Sequence, residues 1–525
     1  MMVVSGSALD RMSCLGERMK IMTAVAWVLA TTMSAPAFAA GTSCENLAAL
    51  KLPTGAITMA QSVPAGGFTP PGAGGGGSEE AFRRLPAFCR VSATLKPTSD
   101  SDIKVEVWLP ASGWNSKYQA VGNGGWAGTI SYSAMGSALE RGYATSSTDT
   151  GHTVASASFA LGHPEKLIDY AYRSEHEMTV AAKAVVNAFY GSGPTRSYFN
   201  GCSTGGRQAL VEAQRYPDDF DGIIAGAAAN PKTHLDSWRI WMSQAMLKNK
   251  DSFIPPSKHP MIHRAVLDSC DALDGVKDGL IESPTRCTFD PKTLACRGSD
   301  APGCLTAAQV EAATVVMSPV KNRKTGELIF PGLEPGSELG WARLLGGQQA
   351  YDTAVDQFKY IVFENPGWDW RTFELERDVT ASERAANGVL AGVNPDLTTF
   401  AQRGGKLLTY HGWADPSIAP QASINFYKSA LGATKPPAQS PDWVRLFMVP
   451  GMGHCRGGAG PDTFDMVSAL EAWVEQGTAP TRVLASHSSG GKVDRTRPLC
   501  PYPQVARYVG TGSIDDAVNF TCQTP

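Results

Sequence analysis

One heptapeptide, Asn200-Gly-Cys-Ser-Thr-Gly-Gly206, limits what this chain can fold into more than any other stretch. It contains Gly201-x-Ser203-x-Gly205, in which small flanking residues let a strand turn sharply into a helix and leave a serine hydroxyl exposed at the turn. The surroundings suit that geometry. Residues 197–200 have strand character, 207–216 have a helical pattern, and the apolar run Gly222-Ile-Ile-Ala-Gly-Ala-Ala228 follows as a second strand. Upstream, Met178, Ala181, Ala182, Val185, Val186 and Phe189 recur at helical spacing from Ser174, and Tyr190-Gly-Ser-Gly193 supplies the stop. Helix, strand, turn, helix and strand in this order predict a mostly parallel sheet covered by helices, an α/β architecture.

A serine hydroxyl is a weak nucleophile. It needs an imidazole as base, and the imidazole needs a carboxylate to hold its tautomer. Two later segments supply these groups at the ends of predicted strands: His411-Gly-Trp-Ala-Asp415 follows 407–410, and Gly451-Met-Gly-His454-Cys455 follows 444–449. The order Ser203, Asp415, His454 is that of the α/β-hydrolase fold. Asp442, Asp462 and Asp465 compete as acids but do not sit at a strand's C-terminal end, where open α/β sheets place their sites. An oxyanion would need two backbone donors: Thr204, next after the serine, and Gly124 or Gly125 in the Gly122-Asn-Gly-Gly-Trp loop that follows a strand at 118–121. His411, four residues before Asp415, is expected to line the pocket, whereas His176 falls within a helical pattern and reads as structural.

Arg18 and Lys20 precede an apolar run at 21–30 and an Ala37-x-Ala39 cleavage pattern, so 1–39 reads as a signal peptide and the mature chain as secreted or periplasmic. The apolar run is shorter than the roughly 20 residues that span a bilayer, so no membrane association is expected after cleavage. Loss of Cys14 leaves ten cysteines, an even number that suits export but fixes no connectivity. The net charge of −3 disfavours nucleic-acid binding. From the mature N-terminus to about Arg90 the Gly/Pro-rich sequence reads as loop. Strand and helix grammar returns at 407–410, 444–449, 464–476 and 482–485, and the different composition between gives the expected organisation: 40–229 and 395–525 form one catalytic domain, interrupted by an inserted lid at 230–394.

Two further features attach to this plan. Cys202 precedes the serine and Cys455 follows the histidine, so a formed triad brings those sulfurs together and a bridge would tie the two loops. In the insertion, Cys270-Asp-Ala-Leu-Asp-Gly-Val-Lys-Asp-Gly-Leu280 sets Asp271, Asp274 and Asp278 in a Gly-punctuated loop. Its spacing is not that of an EF-hand; it reads either as a structural Ca²⁺ site completed by the carbonyls of Val276 and Leu280 or as a solvated acidic turn.

With these motifs in place the sequence resembles the tannase and feruloyl esterase family, whose signature is a Cys-Ser-Asp-His-Cys arrangement; the resemblance runs from about Cys44 to Cys522. It implies an α/β-hydrolase core with a lid inserted between serine and acid, a Ca²⁺ held in that lid by Asp271, Asp274, Val276, Asp278 and Leu280, and no organic cofactor. It also implies the pairs Cys44–Cys89, Cys202–Cys455, Cys270–Cys287, Cys296–Cys304 and Cys500–Cys522. Members cleave small-molecule esters of aromatic acids. The mono(2-hydroxyethyl) terephthalate branch carries an acidic residue after the serine and a phenylalanine three residues after the acid; Thr204 and Ile418 stand there, which ranks a phenolic ester first and the terephthalate monoester as the alternative. Ile418 and the lid's Trp370, with His411, are the expected substrate contacts. A peptidase or lipase of the same fold, and a non-catalytic phenolic- or carbohydrate-binding shell, are the rival readings.

Overall fold

The computed structural model describes residues 41–71, 79–126, 128–345, 349–437 and 442–525. The expected signal peptide, 1–39, lies outside them.

Nine strands form one sheet: β1 (Gly55–Val63), β2 (Phe88–Leu95), β3 (Ile103–Pro110), β4 (Lys117–Val121), β5 (Ala144–Thr148), β6 (Arg196–Cys202), β7 (Gly222–Gly226), β8 (Lys406–Gly412) and β9 (Val444–Val449). Their order is β1-β2-β3-β5-β4-β6-β7-β8-β9. β1, β2, β3 and β5 pair antiparallel, and every pairing from β5 to β9 is parallel. β1 and β2 correct the reading of the first ninety residues as loop. Gly55-Ala-Ile-Thr-Met-Ala-Gln-Ser-Val63 is an edge strand with an irregular register between Ile57 and Met59, and its mixed composition reflects exposure along much of its length.

Successive side chains on a strand face opposite ways, so the sheet buries two cores. Val105, Phe199, Ile223 and Leu407 meet Met178, Ala182, Val185 and Val186 of the helix Ser174–Tyr190, which ends at Gly191 with φ +75°. On the other face Ile224, Leu408, Phe447 and Val449 meet Leu470 and Trp473 of the helix Met466–Gln476. The strand predicted at 482–485 is Val483–Ser489, and it belongs to a separate three-stranded sheet with Thr463–Phe464 and Lys492–Leu499 rather than to the main one.

Between β7 and β8 the chain leaves the sheet for the inserted segment. Its helices Lys232–Met246, Ala307–Met317 and Leu375–Arg384 share a core of Leu235, Trp238, Val316, Phe330, Phe358 and Leu375. Ile418, Ala419 and Ala422, from the segment after β8, are part of that same core, so the insertion is packed directly onto the loop that carries Asp415.

Candidate active site

Ser203 stands between β6 and the helix Thr204–Arg215 with φ +65° and ψ −121°, a backbone conformation that non-glycine residues seldom adopt. It is held by its neighbours: its N–H donates to the Gly226 carbonyl at 3.0 Å, and its own carbonyl accepts from Ala229 at 3.0 Å and Arg207 at 3.1 Å. The glycines around it are there for contact. A Cβ on Gly201 would lie 2.4 Å from the Gly205 carbonyl oxygen, and one on Gly206 would lie 2.2 Å from that of Gly226.

Three side chains from the ends of β6, β8 and β9 hydrogen-bond in series. Asp415 Oδ2 lies 2.7 Å from His454 Nδ1, and His454 Nε2 lies 2.9 Å from Ser203 Oγ. A carboxylate only accepts, so Nδ1 carries the imidazole proton and Nε2 is free to accept from the serine. Asp415 is fully buried. Burial alone would raise its pKa, but the facing His454 and the hydrogen bonds from His411 and His454 hold it well below the usual carboxylate range. Its other oxygen, Oδ1, accepts from the amides of Ser417 at 2.7 Å and Ile418 at 3.1 Å.

The oxyanion candidates sit beside the serine. Thr204 is first in its helix, so its amide has no acceptor within the helix. Gly124 and Gly125 are exposed, with open space where a side chain would be. The Gly125 carbonyl accepts from Thr204 Oγ1 at 3.0 Å and from Tyr170 Oη at 2.8 Å, while Asn123 and Gln208 exchange two hydrogen bonds, at 2.9 and 3.0 Å, that clamp the glycine loop to the serine's helix. Asn123 lies in the glycine loop read from the sequence, but its pairing with Gln208 and the contact of Tyr170 follow no motif; only the folded chain shows them at the site.

Cys202 and Cys455 form a disulfide with Cα atoms 6.1 Å apart across a sequence separation of 253 residues. The other four pairs are Cys44–Cys89, Cys270–Cys287, Cys296–Cys304 and Cys500–Cys522, as the resemblance implied. Because the 202–455 bridge joins the immediate neighbours of Ser203 and His454, replacing both cysteines by serine is expected to lower kcat/KM by about 10²-fold, the scale of a misplacement of about 1 Å. It should also reduce stability, by as much as about 5 kcal/mol in a chain-entropy account of so long a loop. Steady-state kinetics and thermal melting of the double variant check both.

The three expected substrate contacts are placed elsewhere. His411 is fully buried: its Nε2 faces two acceptors, Asp415 Oδ2 at 3.0 Å and the Ile418 carbonyl at 3.1 Å, so it donates to both, and its Nδ1 accepts from Ser423 Oγ at 2.8 Å. It supports the acid from behind and, with no exposed surface, does not line a substrate pocket. Ile418 is fully buried in the core of the insertion. Trp370 packs on the outside of that core, with the Arg371 guanidinium 4.6 Å from its ring centre. His176 bonds Asp219 at 2.6 Å and stacks on Tyr216, a structural role.

In the acidic loop, Asp271 accepts from the amides of Asp278 and Gly279, Asp274 from Val276 and Glu282, and Asp278 from Leu280. Asp278 also ion-pairs with Arg497. Burial, opposed by the Val276 and Glu282 amides and aided by repulsion from Asp278 and Asp271, pushes the Asp274 carboxyl up to about 6. Hard oxygen donors crowded out of water suit a cation of the Ca²⁺ type. The carboxylates are nevertheless turned to the loop's own amides, and among the described residues no three acidic, His or Cys side chains close around one point.

Residues 89–523 match the family model described as tannase and feruloyl esterase. This chain belongs to that family. An esterase of Xanthomonas campestris described as uncharacterized is 40% identical over 94% of this chain and 92% of its own length. A probable feruloyl esterase B-2 of Aspergillus terreus is 33% identical over 83% of this chain and 86% of its own. Among solved structures, feruloyl esterase B from Aspergillus oryzae superposes with a TM-score of 0.83 at 31% identity, covering 91% of this chain and 99% of that one. The tannin acyl hydrolase from Aspergillus niger shares the fold, with a TM-score of 0.65 at 22% identity over 90% and 92% of the two chains. As a member of the tannase and feruloyl esterase family the protein is a carboxylic ester hydrolase with the α/β-hydrolase fold, acting on small-molecule esters. No helix among its described residues is long and apolar enough to cross a membrane. The five disulfides are consistent with an extracellular protein.

Proposed function

We propose that the protein is an exported serine esterase that cleaves esters of phenolic aromatic acids, of the feruloyl esterase or tannase type, through an acyl-enzyme on Ser203. The observation that carries the reading is the unbroken series Ser203–His454–Asp415, at 2.9 and 2.7 Å, beside a helix N-terminus and an exposed glycine loop. As Ser203 Oγ bonds the ester carbonyl carbon, its proton passes to His454 Nε2, and the imidazolium is stabilised by the buried Asp415. The oxyanion takes hydrogen bonds from the Thr204 amide and from the Gly124–Gly125 loop. The C–O bond to the alcohol then breaks as the alcohol oxygen takes the proton from Nε2; His454 next draws a proton from water, which attacks the acyl carbon and regenerates the serine.

A serine-directed fluorophosphonate followed by peptide mass spectrometry is expected to label Ser203 alone. Absence of label on folded protein would favour a non-catalytic shell. With methyl ferulate, methyl gallate and mono(2-hydroxyethyl) terephthalate offered in parallel, a phenolic ester is expected to give the highest kcat/KM; a preference for the terephthalate monoester would reverse the order set by Thr204 and Ile418.

The reading includes a structural Ca²⁺ in the inserted segment, held by Asp271, Asp274 and Asp278 with the carbonyls of Val276 and Leu280. Bound there, it would neutralise carboxylates that repel each other in a loop tied by Arg495 and Arg507 to the C-terminal strands. Chelation by EGTA is then expected to lower the melting temperature by about 5 °C, with recovery on adding Ca²⁺. An unchanged melting curve together with no Ca²⁺ in elemental analysis would remove this part of the proposal.

A further inference from the structure

A cleft of about 490 Å³ opens beside His454. We propose that it is the subsite for the alcohol half of the ester and that it favours alcohols carrying a carboxylate; the inference rests on the esterase reading above and adds to it which half of the substrate is recognised here, and by what charge.

The position of the cleft assigns the half. His454 and the neighbours of Asp415, Trp413 and Ala414, are in its wall, whereas Ser203, Thr204, Gly124 and Gly125 are not. In acylation the carbonyl oxygen must point at the oxyanion donors, and the alcohol oxygen must receive its proton from His454 Nε2. The body of the leaving alcohol therefore extends over the imidazole and away from the glycine loop, into this space. Methanol would leave nearly all of it to water. The volume lies within the range of sites that enclose whole small molecules, so the cleft suits a ring-sized alcohol resting on Leu280 and Trp413.

The charge of the lining assigns the substituent. Among the described residues no Asp or Glu lines the cleft, while Arg343 and Arg456 do. Both are exposed, and neither guanidinium has an ion pair or hydrogen bond among the described residues. The remaining titratable wall residue, His263, donates from Nδ1 to Glu338 at 2.8 Å, and that carboxylate is buried behind it, where it also accepts from the Gly336 amide. The carboxylate behind His263 is thus already committed, and the two forked donors of Arg343 and Arg456 face an incoming anion. Guanidinium recognises carboxylate by paired, charge-assisted hydrogen bonds.

The test holds the acyl group and the alcohol skeleton constant and changes only the charge. Hydrolysis of caffeoyl quinate is compared with that of its quinate methyl ester, at low ionic strength, in the wild type, Arg343→Gln, Arg456→Gln and the double variant, with methyl caffeate as the control for the esterase itself. The wild type is expected to favour the free carboxylate about tenfold in kcat/KM, the scale of one charge-assisted hydrogen bond. That ratio should fall towards one in the double variant and in 0.5 M NaCl, where charges at an exposed rim are screened. Free quinate should inhibit methyl caffeate hydrolysis competitively in the wild type and less in the double variant. A ratio near one in the wild type, a ratio that the substitutions leave unchanged, or cleavage of methyl caffeate with neither quinate ester accepted would each overturn the proposal. Failure to cleave methyl caffeate as well would instead overturn the esterase reading on which it rests.

Discussion

Ser203→Ala is expected to lower kcat by about 10⁶-fold, the scale seen when the nucleophile of a serine triad is removed, while leaving the fold intact. The hydroxyl is the terminal group of the series and its removal empties little space: Ser203 is only half-buried, and its backbone contacts to Gly226, Arg207 and Ala229 do not involve the side chain. Alanine inherits the φ of +65°, which costs it no more than it costs serine. An unchanged melting temperature with kcat lowered by about 10⁶-fold is therefore the expected pair of results. Ester hydrolysis within tenfold of wild type in a clean preparation would remove Ser203 from the reaction.

The second large effect is expected from Asp415→Asn, about 10⁴-fold in kcat, and the structure shows how it arises. Oδ1 of Asp415 accepts two backbone amides, from Ser417 and Ile418, so a replacement carboxamide must put its oxygen there. Its NH₂ then points at His454 Nδ1 and His411 Nε2, both of which donate to the carboxylate. Nδ1 of His454 becomes an acceptor, the ring proton moves to Nε2, and Nε2 can no longer take the proton of Ser203. Substrate binding does not use this atom, so KM should change far less than kcat. A fall in KM-dependent affinity with kcat preserved would mean that Asp415 serves the pocket and not the imidazole.

How far the site was legible in the chain depends on the range of the interaction involved. The turn at Ser203 needs small residues at Gly201, Gly205 and Gly206 because backbone from its own helix, from the Gly122–Asn123 loop and from the end of β7 passes within contact distance, and that requirement is written in consecutive letters. The parallel strands β7 to β9 announced themselves by short apolar runs, since both faces are covered, whereas β6 was legible from the turn that follows it. β1 did not, because an edge strand with one side in water has no need of an apolar run. His411 was visible as a residue near the acid but not as its support. Sequence spacing places it four residues from Asp415, and only the path of the chain after β8, through Ile418 and back to Ser423, decides that the ring turns inward to the carboxylate and not outward to a ligand.

The sequence by itself determined the nucleophile turn, the order serine, acid, histidine, the sheet those residues end, and the identity of the two cysteines beside them, because each is specified by neighbours along the chain. Tertiary structure alone decided the charge and shape around that chemistry: the clamp of Asn123 on Gln208, the burial of His411 and Ile418, the cleft on one side of His454 and the two guanidiniums, of Arg343 and Arg456, at its rim. The physical reason is that backbone turns and strand ends are fixed by local sterics and hydrogen bonding, whereas the orientation of a side chain towards protein or towards solvent is fixed by what distant segments bring against it.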